Sequence, residues 1–509
     1  MPLPSCTYSS ALLARVLRQS DTPEHPAYVV GGFVRDSLRG TTPPDIDVAV
    51  RGDALRIARD TAAAVGGTYV VLKEERRIAR VAMPAHMEDE ADAPASAIRT
   101  LDIVGFEGGI SDDLARRDFT INAMAVPAAH VAEYLERPET GFPPAESVID
   151  PYGGMPDLQT GMLRAVCPTV FEDDPARLLR AVRLCAELGL MFDGHTEELI
   201  RASAHRISSV SGERSREELL RLLALDDAAT TIARMDRLGL LGALIPELEA
   251  GRGIEQPTSH FWDVLEHSIQ TVAAFEFVAG EGDWPYGNEE TRDSIPSQPI
   301  FHSYLDQPVS REATHAALIK LACLLHDVAK PQTRTLTETG RARFLGHTKE
   351  GGRLSGDILR RLRFSQAEST YVQALVHDHL RPAQMSSEGL PSGRAVFRFF
   401  RDTKDAGLGV LYLALADYLA CRGPLYTMRE WNSVCELTRY IVEEQIRQEH
   451  AVRPSRLING EDIMRLLGIP PGPTVGHLLE TILEAQASGQ IYTREEALAL
   501  ARETYEQEH

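Results

Sequence analysis

Two aspartates, Asp45 and Asp47, follow a glycine pair, Gly31-Gly32, in the segment YVVGGFVRDSLRGTTPPDIDVAV, with twelve residues (Phe33 to Pro44) between Gly32 and Asp45. Alternation along a strand points both carboxylates to one side and Ile46 to the other. Carboxylates so placed can hold Mg²⁺ ions that clamp an attacking oxygen and a leaving pyrophosphate. The glycines permit a tight turn and close approach of a triphosphate to the backbone. The helix they open carries Arg35 and Arg39 and offers free N–H groups to phosphate. Asp102, in R-T-L-D-I-V, is a candidate third carboxylate on a later strand. A D-x-D alone fits a solvated hairpin just as well. The apolar-flanked glycine pair at this spacing favours catalysis.

A second set has metal-ligand chemistry. His326-Asp327 lies in L-A-C-L-L-H-D-V-A-K, preceded by His267 and followed by His347, His377, His379 and Asp417. Neutral imidazole and carboxylate suit transition-metal ions, and an adjacent His-Asp pair supplies two ligands at once. Any one of these histidines reads as an ordinary core or surface residue. As an ordered set, His267, His326, Asp327, His347, His377 and Asp417 are expected to bind metal, with His379 the alternative to His377 at a second position.

Two longer motifs lie downstream of the D-x-D: R-R-D-F-T-I-N-A-M-A from Arg116 and E-D-D-P-A-R-L-L-R-A-V-R from Glu172. They are joined by D-P-Y-G-G from Asp150 and followed by G-E-R-S-R-E-E-L from Gly212. The first segment resembles the catalytic signature of the DNA polymerase β nucleotidyltransferase superfamily. With these motifs the chain resembles the class II tRNA nucleotidyltransferase and bacterial poly(A) polymerase family, and the ordered H…HD…D set resembles HD-domain phosphohydrolases. The first resemblance implies attack of an RNA 3′-hydroxyl on the α-phosphate of CTP or ATP, with the tRNA 3′ end as acceptor and Mg²⁺ at Asp45 and Asp47. Some HD domains in this family hydrolyse phosphomonoesters or 2′,3′-cyclic phosphates, and others are vestigial.

The resemblance also assigns the nucleotide contacts. Arg117, Asp118 and Asn122 correspond to residues that touch sugar and phosphate. Asp174 and Arg177, three apart at a helix start, project from one face. C and A both present an amino donor beside a ring-nitrogen acceptor, so a carboxylate and a guanidinium can match both and mismatch U and G. By resemblance these two residues are the amino-acid template, although an i,i+3 salt bridge would have the same spacing. Arg180 and Arg183, on the same helix, are expected at base or phosphate, with a solvated basic face the other reading for Arg183.

These residues need a particular scaffold. The expected fold is an α/β head with a polymerase β-like, five-strand-type mixed sheet, an all-α neck, an HD helical domain and a helical tail, at residues 1–165, 166–255, 256–445 and 446–509. Tyr28–Val30, Ile46–Val50 and Thr100–Val104 are strand candidates, and the pattern turns helical from Phe171. Gly280–Pro308 reads as a surface loop or an insertion between two helices, and Gly460–Pro473 as a punctuated stretch before a final helical pair. Arg394, Arg398 and Arg401, and separately Arg353, Arg360, Arg361 and Arg363, form basic faces that could track RNA phosphates or simply be solvated. The net charge of −21 confines nucleic acid to such patches. Six scattered cysteines exclude a disulfide framework and a cysteine zinc site. Met1–Ser10 lacks a signal-peptide pattern and no apolar run approaches a membrane span, so a cytoplasmic protein is expected, with neither DNA nor membrane as partner. Sibling specificities (A-adding, CC-adding or poly(A) addition) remain alternatives. So does a phosphohydrolase whose head only binds nucleotide. Lys73–Val81 lacks the basic-aromatic stretch usual in poly(A) polymerases.

Overall fold

The computed structural model describes residues 8–508 apart from 23, 42, 76, 84–97, 258, 387–388, 451–456 and 488. Arg76 of the Lys73–Arg77 segment, and most of Met1–Ser10, therefore lie outside the described residues. The chain divides into two compact units, Met1–Ser209 and Val210–His509.

The first unit is built on a mixed sheet of six strands: β1 (Ala27–Val30), β2 (Asp45–Arg51), β3 (Thr68–Lys73), β4 (Ile78–Ala82), β5 (Thr100–Phe106) and β6 (Ala125–Pro127), in the order β3-β4-β5-β2-β1-β6. Only β2 and β5 run parallel; every other pair is antiparallel. The sheet has one strand more than the five-strand type expected. β6 contributes three residues beside β1, too few to display an alternating pattern. Along β2, Ile46, Val48 and Val50 enter the main core with Leu13, Leu17, Val29 and Ile103. The period of two turns Asp45, Asp47 and Ala49 to the opposite face, where Ala49 joins a smaller cluster with Val30, Phe106 and Leu114. Helices Tyr8–Ser20 and Ala128–Glu136 cover the main core and are clamped by a two-pronged Arg18–Glu136 ion pair. Further on, β7 (Met162–Leu163) pairs in parallel with β8 (Met191–Phe192), bracketing the helix Arg177–Leu188.

The second unit is helical. Val264–Ala279, His315–Leu325, His347–Arg361, Gln366–Asp378 and Gly407–Arg422 form its central bundle. Two short strands, β9 (Arg334–Leu336) and β10 (Ala342–Phe344), make an antiparallel hairpin just before His347. Of the two readings of the 280–308 stretch, the structure has the insertion, between the helices Val264–Ala279 and His315–Leu325, and not a loose loop. It holds two short helices, Glu289–Asp293 and Pro299–Ser303, and buries Trp284, Thr291 and Phe301. The indole N–H of Trp431 donates to the Thr291 carbonyl at 2.8 Å, which fixes this insertion on the helix Met428–His450. Its Gly and Pro content hid a packed element because the apolar anchors are isolated rather than periodic. The stretch Gly393–Leu425 is apolar enough to pass for a membrane helix by length and hydropathy. It is in fact two helices, Gly393–Thr403 and Gly407–Arg422, interrupted at Lys404, which has a positive φ of 50°. The second is apolar because its residues fill the bundle core, Val410 to Leu413 being fully buried.

The expected final pair is Pro473–Ala487 and Arg494–Glu508, and the punctuated stretch before it itself holds a helix, Gly460–Leu467. Asn459 and Asp462 form a capping box that starts Gly460–Leu467, and Gly468 ends it in the left-handed conformation. Arg394, Arg398 and Arg401 do share one helical face. That face grips Glu484 of the tail, with N–O distances of 2.7–2.8 Å, so these arginines dock the tail rather than stand free for RNA. Arg353 and Arg360 pair with Asp357, Arg361 with Glu247 and Arg363 with Glu213.

Candidate functional site

The head site begins at the end of β1. Gly31 has φ +75°, and a Cβ there would sit 2.9 Å from Arg117 Nη1 and 3.1 Å from Asp47 Oδ2. Only glycine meets both conditions, and its position brings the backbone against a carboxylate and a guanidinium together. Gly32 opens the helix Gly32–Leu38. Asp47 faces Val30 across the antiparallel ladder and Asp102 across the parallel one, so the three strands set these groups side by side. Burial raises the Asp47 carboxyl above its usual range. The Arg117 and Arg180 charges pull it down, and the Asp102 and Asp45 charges push it further up. A half-buried carboxylate flanked by two others fits a divalent cation. Asp45 is exposed and accepts from the Thr100 hydroxyl at 2.6 Å. Asp102 spends both oxygens on Arg80, its direct partner on β4, at 2.8 Å each. It lies in the same row as Asp47 but is turned to an arginine that sequence reasoning had not singled out.

The nucleotide-contact candidates form a network. Asp118 accepts from the Phe119 N–H and the Asn122 amide, and pairs with Arg180 at 2.8 Å. Burial would raise the Asp118 carboxyl, but Arg180, Asn122, the Phe119 N–H and Arg177 outweigh it and hold the group ionised below its ordinary range. Arg117 pairs with Asp113 at 3.2 Å. Arg35 differs from its expected place at phosphate. It is buried, donating to Asn122 at 2.7 Å and to Asp36, which braces the turn carrying Asn122. Arg177 donates to the carbonyls of Arg116 (2.7 Å) and Val170 (3.3 Å), which ties the helix start to the Arg116–Ala125 motif. A guanidinium has five N–H groups, so donors remain for a base. Asp174 ends the preceding short helix and accepts from the Ala176 N–H. Arg183 is buried and paired with Glu187, on the inner side of the helix whose outer side carries Arg180.

In the second unit, ligand candidates converge from the ends and faces of five helices. His267 Nε2 lies 3.1 Å from His326 Nε2, 3.0 Å from Asp417 Oδ1 and 3.4 Å from Asp327 Oδ2. Asp327 also faces His347, at 3.6 Å from Oδ1. Two ligand groups share Asp327: His267 with His326, and His347 with His379. His377 does not belong. It is exposed and turns to Asp378, whereas His379 is 2% exposed and rings the cluster with His326 and His347. Two residues along a helix turn about 200°, so in V-H-D-H the two histidines face opposite ways and only one can point inward. The rings of His326, His347 and His379 each set Nδ1 against the carbonyl three residues upstream, at 2.7–2.8 Å. That bond puts the proton on Nδ1 and leaves Nε2 free to ligate. Among the described residues, buried Asp327 Oδ1 and His347 Nε2 have no hydrogen-bond partner. Burial lowers the pKa of His267 and takes that of His379 down to about 4, so both are neutral. Burial opposes a proton on His326, but Asp327 and Asp417 outweigh it and hold the ring up to about 10. A cation would take the place of that proton. The donor set fits metal.

Two residues absent from the sequence reading stand beside the cluster. Lys330 Nζ is 2.5 Å from Asp327 Oδ2, and the i,i+3 spacing of H-D-V-A-K was the available signal. His260, lowered to about 4 by burial and by the Lys330 charge, stands edge-on to His267 and had no motif to mark it.

A sheet of this order carrying acidic residues beside a glycine turn, followed by a separate His-Asp helical bundle, defines a polymerase-type nucleotidyltransferase head with an HD domain. Matches to family models agree: a poly A polymerase head domain over residues 27–164, a probable RNA and SrmB-binding site of polymerase A over 189–251, and an HD domain over 264–421. The chain is 32% identical to the A-adding tRNA nucleotidyltransferase of Deinococcus radiodurans over 95% of its length and 97% of that protein. It is 33% identical to the CC-adding tRNA nucleotidyltransferase of Thermus thermophilus over 93% of its length and 92% of that protein. Its fold matches a Thermotoga maritima CCA-adding enzyme complexed with tRNA (TM-score 0.57, 20% identity, covering 97% of this chain and 98% of that one). The chain belongs to the tRNA nucleotidyltransferase family.

Proposed function

We propose that this protein adds or repairs the 3′-terminal CCA of tRNA, using CTP and ATP without a nucleic-acid template. The observation that carries the reading is Asp47 set against the Gly31 turn with Arg117, and Asp45 two residues before it on the same strand, in a chain aligned over nearly its whole length with tRNA nucleotidyltransferases. Attack by the tRNA 3′-oxygen forms one bond to the α-phosphorus while the bond to pyrophosphate breaks. Asp45 and Asp47 would hold Mg²⁺, which when bound neutralises the triphosphate and eases ionisation of the 3′-hydroxyl. Gly31, having no Cβ, lets Arg117 approach the backbone beside Asp47, and Arg117 supplies positive charge there for a phosphate. The Asp118–Arg180 pair and Asn122 fix the floor under the sugar. Asp174 and Arg177 select C and A by their shared donor–acceptor edge. The scattered free thiols among the described residues suit a cytoplasmic site of action.

The nearly full-length relatives add only A or only CC, which favours a second reading of partial specificity. One assay separates the two. Purified protein is incubated with Mg²⁺, labelled CTP or ATP, and tRNAs ending before C74, after CC, or after CCA. Addition of all three nucleotides to the shortest tRNA supports the first reading. Products stopping at CC, or labelling only from the CC-ended tRNA, supports the second. No incorporation at all would falsify both.

The HD cluster supports a separate metal-dependent phosphohydrolase site. His267, His326, Asp327 and Asp417 would hold one transition-metal ion, and Asp327, His347 and His379 a second. Such ions, when bound, supply charge to a phosphoryl group and an acidified water.

A further inference from the structure

The protein carries a net charge of −21, and most arginines of its second unit are ion-paired. Arg341 and Arg343 are among the exceptions, and they differ from the others in lining a cavity. Both are exposed, and among the described residues neither guanidinium has an ion-pair or hydrogen-bond partner. Arg343 lies in β10, and Arg341 stands two residues before it, just ahead of the strand. Both line a cavity of about 1020 Å³ whose floor includes Asp327, Lys330, His347 and His379. The hairpin is tied to that floor, because the Phe344 carbonyl at the end of β10 accepts from the His347 ring at 2.7 Å. Much of the remaining wall is apolar, with Leu345, Leu380, Ala383, Leu390 and Tyr418.

We infer that the β9–β10 hairpin is a phosphate clamp and that the cavity takes the end of a short single-stranded oligonucleotide bearing a terminal phosphomonoester. This rests on the phosphohydrolase reading of the HD cluster. The terminal phosphate lies at the cluster, the preceding phosphodiester on Arg341 and Arg343, and sugar and base against the apolar wall. Each part of the cavity argues for one part of this ligand. Unpaired guanidiniums bind phosphate in a two-pronged geometry. They are not needed for a substrate with one phosphate, since the cluster meets that group. The apolar wall is not needed for inorganic pyrophosphate. The volume lies at the upper end for small-ligand sites, roughly 300–1,000 Å³, which suits the end of a strand and not the body of a folded RNA. In the reaction, water adds to phosphorus, the bond from phosphorus to the sugar oxygen breaks, and inorganic phosphate and a free hydroxyl result.

The test compares the full-length protein with its R341A/R343A and R341K/R343K variants. Two quantities are measured. One is fluorescence-anisotropy binding of a labelled dinucleotide 3′-phosphate in chelator. The other is the ratio of kcat/KM for that dinucleotide to kcat/KM for p-nitrophenyl phosphate with Mn²⁺, Co²⁺ or Ni²⁺. Binding to the head contributes equally to all three proteins, so differences report on this cavity. The expected result is binding at least tenfold weaker in R341A/R343A, a matching fall in the ratio that resides in KM, and partial recovery in R341K/R343K. Equal affinity and an equal ratio in parent and alanine variant would overturn the clamp while leaving the hydrolase intact. If the parent hydrolyses neither compound, the hydrolase reading fails and anisotropy alone decides the clamp.

Discussion

At the scale of single residues, the head site is held by close contacts that tolerate little change. Gly31→Ala would place a methyl group against Arg117 and Asp47 and force a left-handed conformation on alanine. The backbone term alone is about 1–2 kcal/mol. The expected outcome is a lower Tm and a larger loss of nucleotide addition, measured on one preparation. Asp47→Asn removes the carboxylate but keeps its shape. Since Asp47 is half-buried beside the charges of Asp45 and Asp102, folding is expected to be preserved or improved, while kcat falls by at least about a hundredfold, the loss typical of one preorganised electrostatic partner. Near-parental kcat would remove Asp47 from the chemistry. For Arg177→Ala, the four nucleoside triphosphates are compared one at a time on the same tRNA. UTP and GTP should gain relative to CTP and ATP. Because Arg177 also bonds the Arg116 carbonyl, some loss of stability is expected with it. An unchanged order of preference would place base selection elsewhere.

Elements extend the same logic to longer reach. The helix Gly393–Thr403 meets the tail helix Pro473–Ala487 through three arginines around one carboxylate, Glu484, which is almost fully buried. Burial alone would raise its pKa, but Arg398 and Arg394 outweigh that and hold it down to about 2. The folded pKa is below the unfolded value near 4.5. The pair therefore contributes its stability in full above about pH 4.5 and loses it as pH falls from there toward 2. Glu484→Gln should imitate acid at neutral pH, leaving three guanidiniums facing a neutral amide. Limited proteolysis should then release the tail earlier than in the parent, and lowering the pH of the parent through that window should do the same. A tail equally resistant in both proteins would mean that its apolar contacts hold it unaided.

For the whole molecule, the two candidate sites lie in separate compact units. Asp327→Ala is expected to abolish metal binding at the HD cluster, since both ligand groups include that residue. Nucleotide addition to tRNA should persist. A metal that binds only the folded state adds about 2.7 kcal/mol of stability at a hundredfold excess over its Kd. The parent should therefore lose thermal stability in chelator, and the variant, already without metal, should not. Loss of tRNA addition in a folded Asp327→Ala protein would show that the two sites are not independent. Imidazole ligands also predict that phosphohydrolysis responds to Mn²⁺, Co²⁺ or Ni²⁺ while addition prefers Mg²⁺.

The chemistry was legible in the sequence where local geometry dictates it. A period of two puts Asp45 and Asp47 on one face of β2, and the Gly31 turn needs no tertiary partner to be recognised. His326 and Asp327 are adjacent, so their pairing could be read directly. What the chain alone could not decide was where each side chain finds its partner at long range. The choice between His377 and His379 depends on which side of a helix meets the bundle. The arginine faces looked alike as sequence. Only the tertiary structure consumed Arg394, Arg398 and Arg401 on Glu484, and left Arg341 and Arg343 unpaired at the mouth of a cavity. Arg80 and Lys330 became visible for the same reason: a charge announces itself in sequence, but its counter-charge is chosen by the fold.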